Sequence, residues 1–370
     1  MEFKRDCKSF PGLYACEVMT AEGMEDCKDC MFYEPISKKI LLIKLGALGD
    51  VVRTTPLVQA IKNKYGYNSH VTWLVKPGDN ADVLKNNPPI DKILELNPIN
   101  VSRVKQEKFN ILFNLEIDPE ATLIANEIKA EEKYGFYFHE DGHPQNFNKG
   151  AEFYLNRVFS NKISQESRKT YQEMMFEICE LDYNKEPITL HNIDESYAEN
   201  FKKENNLSKD DKIICINLGA GGRWPSKSWH QERILELLEK LKKTNYKILL
   251  RGGPEEKELL PEIISKARQK GIETITNYPK ILNIPELISL INLCNIVVTG
   301  DTLVLHIAAA LKKKTIALFL CTPDWEVEDY GFIKKLASPL LKDNFYTNLE
   351  NEGLMKSISA EEVFKYIKNV

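Results

Sequence analysis

The chain has 370 residues, 43% hydrophobic and 28% charged, with a net charge of −4. That length asks for two domains rather than one core, and the balance is that of a globular chain. The acidic charge excludes a nucleic-acid partner held mainly through its phosphates, and no apolar run approaches the roughly 20 residues of a membrane span.

Residues 1–38 read as a short polar extension, with Pro11-Gly12 as a turn. It opens without the apolar segment of a secretory signal, so the expected location is cytoplasmic, with room for peripheral contact at the inner face of the membrane. Cys7, Cys16, Cys27 and Cys30 follow the spacing C-x8-C-x10-C-x2-C. The closing C-x2-C suits tetrahedral chelation of Zn²⁺, and iron or an iron–sulfur cluster could use the same four thiolates. Free or redox-labile thiols are the alternative, and the metal is the favoured reading; disulfides fit a chain without an export signal poorly. The extension is expected to dock beside the first domain, ahead of Ile40, and to shape the acceptor side of a cleft. Cys179, Cys215, Cys294 and Cys321 lie singly in apolar segments and read as small core residues.

From Ile40 strands and helices alternate. Ile40–Leu45 is a buried strand, followed by a helix over Val51–Tyr65 in which Pro56 bends the path. His70–Val75 and Asn110–Leu115 are further strands, and Asn148–Leu181 is mostly helical. Asp182–Ser196 reads as a linker and Ala198–Asn206 as a helix. Strands then fall at Lys212–Asn217, Tyr246–Leu250, Glu273–Thr276, Ile296–Thr299 and Thr315–Phe319. A helix is expected from about Gln231 to Lys242, and Ser359-Ala-Glu-Glu362 is a capping box opening the last one. The alternation predicts an α/β chain of right-handed βαβ units: an extension at 1–38, Rossmann-like domains at 39–185 and 186–350, and a closing helix within 351–370.

Three loops stand where such folds bind ligands, at the carboxyl ends of strands. The first is Gly46-Ala-Leu-Gly49-Asp50. Asp50 there is either an N-cap or a carboxylate offered to a ligand. The turn lacks G-x-G-x-x-G and G-x-x-x-x-G-K-[ST], which disfavours a dehydrogenase or an ATPase. The second is Gly219-Ala-Gly221-Gly-Arg223-Trp224-Pro-Ser-Lys227-Ser-Trp229. Its glycines, Arg223 and Lys227 suit an anion, and Trp224 or Trp229 could pack on a ring. The alternative is a solvated loop anchored by its tryptophans. The third is Thr299-Gly300-Asp301-Thr302-Leu-Val-Leu-His306, a helix start aimed at a cleft and ready for phosphate. His306, on the same face as Thr302, is either a supporting residue or a satisfied core histidine.

Together these motifs resemble the ADP-heptose:lipopolysaccharide heptosyltransferases, glycosyltransferase family nine, over about Ile40 to Gly331. The resemblance rests on Lys44-Leu-Gly-Ala-Leu-Gly-Asp50 with Thr55-Pro56-Leu57, on the Gly219–Trp229 stretch, and on Thr299–His306 with Ile-Ala-Ala after it. It implies the GT-B architecture, two Rossmann-like domains facing across a cleft. It implies Asp50 as general base, Lys227 and the Asp301-Thr302 turn at the donor phosphates, and Glu256 toward the ribose. The implied activity is inverting transfer of a heptose-type sugar from a nucleotide-diphosphate donor to a hydroxyl of a glycan, glycolipid or protein acceptor. No cofactor is needed for that catalysis, so a metal at the cysteines would be structural. Another nucleotide sugar, or a catalytically silent metal-binding scaffold, are the competing readings. His230 stands where members often have proline, and the cysteine-rich extension lies outside the usual pattern.

Overall fold

The computed structural model describes residues 1–219, 224–276 and 280–368. Gly221 and Arg223 lie outside the described residues. The first domain holds β1 (Lys39–Ile43), β2 (His70–Val75), β3 (Lys92–Glu95), β4 (Lys108–Asn114), β5 (Lys129–Phe138) and β6 (Pro144–Asn146). The second holds β7 (Lys212–Asn217), β8 (Tyr246–Arg251), β9 (Ile275–Thr276), β10 (Ile296–Gly300), β11 (Lys314–Phe319) and β12 (Ile333–Ala337). Their orders are β3-β2-β1-β4-β5-β6 and β12-β11-β10-β7-β8-β9. All pairings are parallel except β5–β6. Each sheet therefore reverses its direction of travel once, between β1 and β4 and between β7 and β10. A crevice opens outside the strand ends at such a reversal.

The central strands are apolar on both faces because helices cover both. Ile40, Leu41, Leu42 and Ile43 are buried without exception, and so is all of β10. One continuous apolar cluster crosses the domain boundary, joining Val51 and Val52 to Val304, Leu305 and Ile307. The helices Leu48–Thr54 and Leu303–Ala310 meet directly there. Gly49 permits it: a Cβ would stand 2.9 Å from Cδ2 of His306.

Several elements differ from expectation. The stretch expected as one helix is two, Leu48–Thr54 and Pro56–Tyr65, because Pro56 cannot donate to the preceding turn. β3, β5, β6 and β12 go beyond the predicted strands, as do the helices Pro98–Gln106 and Pro119–Glu127. The helix after the linker begins at Glu195, capped by Asp194. Ser359 Oγ accepts the N–H of Glu362, opening the helix Ala360–Lys368. That helix packs on Gln231–Leu241, so it belongs to the second domain. The four solitary cysteines are all buried. Among the described residues no helix is long and apolar enough to cross a membrane.

The extension does dock on the first domain ahead of Ile40, but at the opposite pole from the cleft. Lys8 Nζ donates to the carbonyl of Tyr67 and pairs with Asp91 at 3.2 Å. Ser37 bonds Asn68 through its N–H and its hydroxyl. Those partners precede β2 and β3, so they lie at the amino ends of the parallel strands. Ligand crevices lie at the carboxyl ends, about 25 Å away at roughly 3.3 Å per residue from Ser37 to Leu45. The extension cannot shape the acceptor side.

Candidate active site

A cleft of about 430 Å³ lies between the domains. Asp50 and Arg53 line it from the first domain; Gly219, Lys227, Glu256, Asp301, Thr302 and His306 line it from the second. Side chains from three separate loops thus meet at both topological reversals.

Asp50 falls in the first turn of Leu48–Thr54, after Ala47 at the N-cap, so it is not the cap. Its Oδ1 accepts from Arg53 Nε at 2.9 Å and is paired with Nη2 at 2.8 Å. Among the described residues Oδ2 takes no partner, and the side chain is 32% exposed. The Arg53 guanidinium lies 3.8 Å from the centre of the Tyr171 ring. Tyr171 OH in turn shares a hydrogen bond with Thr54 Oγ1. Burial pushes the Asp50 carboxyl up, but Arg53 and Lys44 outweigh it and hold it below the usual carboxylate range.

Lys44, at the end of β1, pairs with Glu116 at 2.9 Å. The same Glu116 oxygen accepts the N–H groups of Leu45 and Gly46. Glu116 follows β4, the strand beside β1, so the first loop is pinned from across the reversal.

In the second domain Lys227 closes the turn Pro225–Lys227 and pairs with Asp301 at 3.1 Å. Burial raises the Asp301 carboxyl, yet Lys227, His306 and Arg53 together bring it down to about 2. It is an anion at any working pH. Thr302, not Asp301, caps Leu303–Ala310, its Oγ1 accepting the N–H of Val304. Asn217 Nδ2 donates to Thr299 Oγ1 and, at 3.4 Å, to Thr302 Oγ1, while its Oδ1 accepts from Arg251. His306 is buried, with Nε2 3.9 Å from Asp301. Burial and then Arg53 bring its imidazole down to about 4, against Asp301 and Asp50, so it is neutral at pH 7.

Glu256 lies along Gly219, where a Cβ would stand 2.2 Å from its carboxyl carbon, and it accepts the N–H of Gly253 at 2.7 Å. Gly300 ends β10, where a Cβ would stand 3.0 Å from the Lys227 carbonyl. Trp229 is not available to stack on a ring: it is buried and donates to the Ile358 carbonyl. Trp224 packs beside the Tyr346 ring. Lys44, Arg53, Glu116, Tyr171, Asn217 and Arg251 were not singled out from sequence. Only Lys44 carried a signal, as the charge that opens the stretch Lys44–Asp50.

The comparisons give the family and the fold. Residues 101–344 match the pattern of glycosyltransferase family 9 (heptosyltransferase). The chain is 22% identical over 355 residues to lipopolysaccharide heptosyltransferase 1 of Campylobacter coli, covering 90% of this chain and 98% of that protein. A family 9 glycosyltransferase from Veillonella parvula matches with a TM-score of 0.68 at 20% identity, over 91% of this chain and 97% of that one. For the E. coli ADP-heptose LPS heptosyltransferase II the TM-score is 0.61 at 16% identity, over 90% and 98%. At those identities the two structures show the fold, a GT-B pair of Rossmann-like domains.

Proposed function

This chain belongs to glycosyltransferase family 9 and is a glycosyltransferase; from that premise we propose that it transfers heptose from ADP-heptose, with inversion, to a hydroxyl of a lipopolysaccharide-type acceptor. The observation that carries the reading is one cleft in which a half-exposed carboxylate, Asp50, faces a lysine and a capped helix N-terminus from the other domain.

The chemistry follows from the charges. Asp50 takes the proton of the acceptor hydroxyl as that oxygen attacks the anomeric carbon from one side. The bond to the donor phosphate breaks on the other side, and ADP leaves with the electron pair. General-base help of this kind is worth about 10²–10⁴ in rate. Negative charge grows on the leaving phosphate, where Lys227 and the N-terminus of Leu303–Ala310 stabilise it. Asp301 is itself an anion and repels phosphate, so its part is to hold Lys227 in place. Within the Asp301-Thr302 turn the attraction comes from the helix start. Arg53 holds one oxygen of Asp50 and leaves the other for the proton. Glu256 lies beside Gly219 at the cleft wall, which supports its assignment to the ribose hydroxyls. With a glycolipid acceptor the reaction takes place at a membrane surface on the cytoplasmic side.

The test is ADP release from ADP-heptose in the presence of truncated lipopolysaccharide cores, with the product's anomeric configuration read by NMR. Transfer with a configuration opposite to the donor's is expected. Retained configuration would exclude single displacement, and transfer only from a different nucleotide sugar would replace the donor.

A further inference from the structure

Residues 1–38 contain no buried residue. Their only helix is the five-residue Glu17–Ala21, and the large side chains Leu13, Tyr14 and Met31 are exposed. Burial cannot hold such a segment in one conformation against its chain entropy. Small segments of this kind are stabilised by cross-links or metals. All eight cysteines are free thiols, so no disulfide supplies the link.

The four cysteines of the extension nevertheless converge. Cys7, Cys16, Cys27 and Cys30 all line one small cavity of about 20 Å³, closed by Phe10 and Tyr33. Cys7 sits in the one bridge that ties the start of the extension to its end, opposite Pro35. Cys27 N–H reaches back to the carbonyl of Glu2. Three separate turns therefore bring four soft ligands around a common point, with no carboxylate or imidazole lining it.

We propose that these four cysteines bind a thiolate-ligated metal centre, which holds together the fold of the extension that docks, through Lys8 and Ser37, on the pole of the first domain farthest from the cleft. Each thiol loses its proton to solvent as the centre forms. Four protein thiolates leave no open position for a reacting water, in keeping with a structural role. The sulfurs are spread. Among the described residues, the groups that gather three ligand atoms within 4.8 Å of one another are His139, Asp141 and His143, and His230, Glu232 and Glu352, with no cysteine among them. A single zinc with bonds of 2.3 Å sets its sulfurs about 3.8 Å apart. The sulfurs must close inward to meet one ion, and a cavity of about 20 Å³ has room for a single ion and none for the inorganic body of a cluster, which favours one Zn²⁺.

The test uses the full chain, purified without oxygen, and reads iron, zinc, acid-labile sulfide and the visible spectrum. One zinc per chain, without visible absorbance or acid-labile sulfide, is expected. Iron, with or without sulfide, would keep the thiolate centre and replace the zinc. Replacing Cys27 and Cys30 by serine should abolish the metal and make residues 1–38 sensitive to protease. Thermal unfolding of the two-domain body should remain in place, because the site lies at its far pole. A chain that holds neither zinc nor a cluster after reconstitution with each, with four thiols that react at once while the extension resists protease, would overturn the proposal.

Discussion

The two domains share one strand order, and each presents an aspartate to the same cleft beside its point of reversal. The two aspartates are built for different work. Asp50 is 32% exposed and gives a single oxygen to its cation. Asp301 is 18% exposed, paired with Lys227, and sits beside His306. Both are ionised at neutral pH; access decides which one can take a proton from an incoming hydroxyl. The topology places a carboxylate at each reversal, and local burial makes one a base and the other a strut. Carboxylates separated by environment are a recurring solution in active sites.

The comparison breaks most sharply at Asp50. Asp50→Asn should lower the transfer rate by about 10²–10⁴, the usual worth of a general base, with ADP affinity unchanged. Asparagine keeps size and polarity but accepts no proton. A rate within a few fold of the parent would show that another group does the work. Asp301→Asn should instead weaken ADP binding, since it frees Lys227.

His306, between the two carboxylates, gives the next largest effect, on stability. Its folded value of about 4 lies below the unfolded 6.5. Above pH 6.5 both states are neutral and the histidine contributes nothing to the pH dependence. As the pH falls from 6.5 to 4 the unfolded chain takes up a proton that the folded chain refuses, so stability falls. The loss levels off below 4, at a total on the order of 3 kcal/mol. Asp301, whose own contribution begins to fade only below about 3.8, does not enter that window. Denaturant midpoints of the parent should decline from pH 6.5 to 4 more steeply than those of His306→Gln, in which the partly buried His70, also held below its usual range, still contributes. Equal slopes would mean that other groups set the acid response.

Lys227→Ala should weaken ADP binding roughly 10- to 100-fold, the cost of about 1.5–3 kcal/mol for a hydrogen bond to a charged group. It also leaves Asp301 facing the phosphates without its cation. Titration calorimetry with ADP is the measurement. Unchanged affinity would assign the phosphates to the helix N-terminus alone.

Much of this comparison was legible in the sequence, and the reason is physical. Central parallel strands must be apolar on both faces, so β1, β7, β10 and β11 stand out as uninterrupted runs. β12 carries Lys334 and Lys335, and β5 begins Lys-Ala-Glu-Glu-Lys, because each has an edge or face in water. Their sequences read as loops. Glycines and acids at strand ends marked the loops of the cleft. The pairs that hold those loops were not visible. Lys44 and Glu116 meet because β4 lies beside β1, and Arg251 reaches Asn217 because β8 pairs with β7 in that register. Such partners are set by sheet order, which no local pattern states. The pole at which the extension docks was misplaced for the same reason.

Arg53 separates charge from geometry at the base, and its effect should be the smallest. It donates from Nε to one oxygen of Asp50, pairs with the same oxygen through Nη2, and is itself pressed against the Tyr171 ring. That clamp does two things. Its charge keeps the Asp50 carboxyl below the usual range, and its planar fork fixes the direction in which the free oxygen points. Arg53→Gln removes both. The proton then binds Asp50 more readily, so the acidic limb of kcat/KM against pH should move to higher pH, with a lower plateau from lost orientation. Arg53→Lys keeps the charge but not the fork. It should hold the limb near its parent position while the plateau still falls. An acidic limb unmoved in Arg53→Gln would show that Lys44 alone sets the charge of the base. A plateau unmoved in both variants would show that Asp50 is oriented by the turn Gly46–Gly49 and not by its arginine.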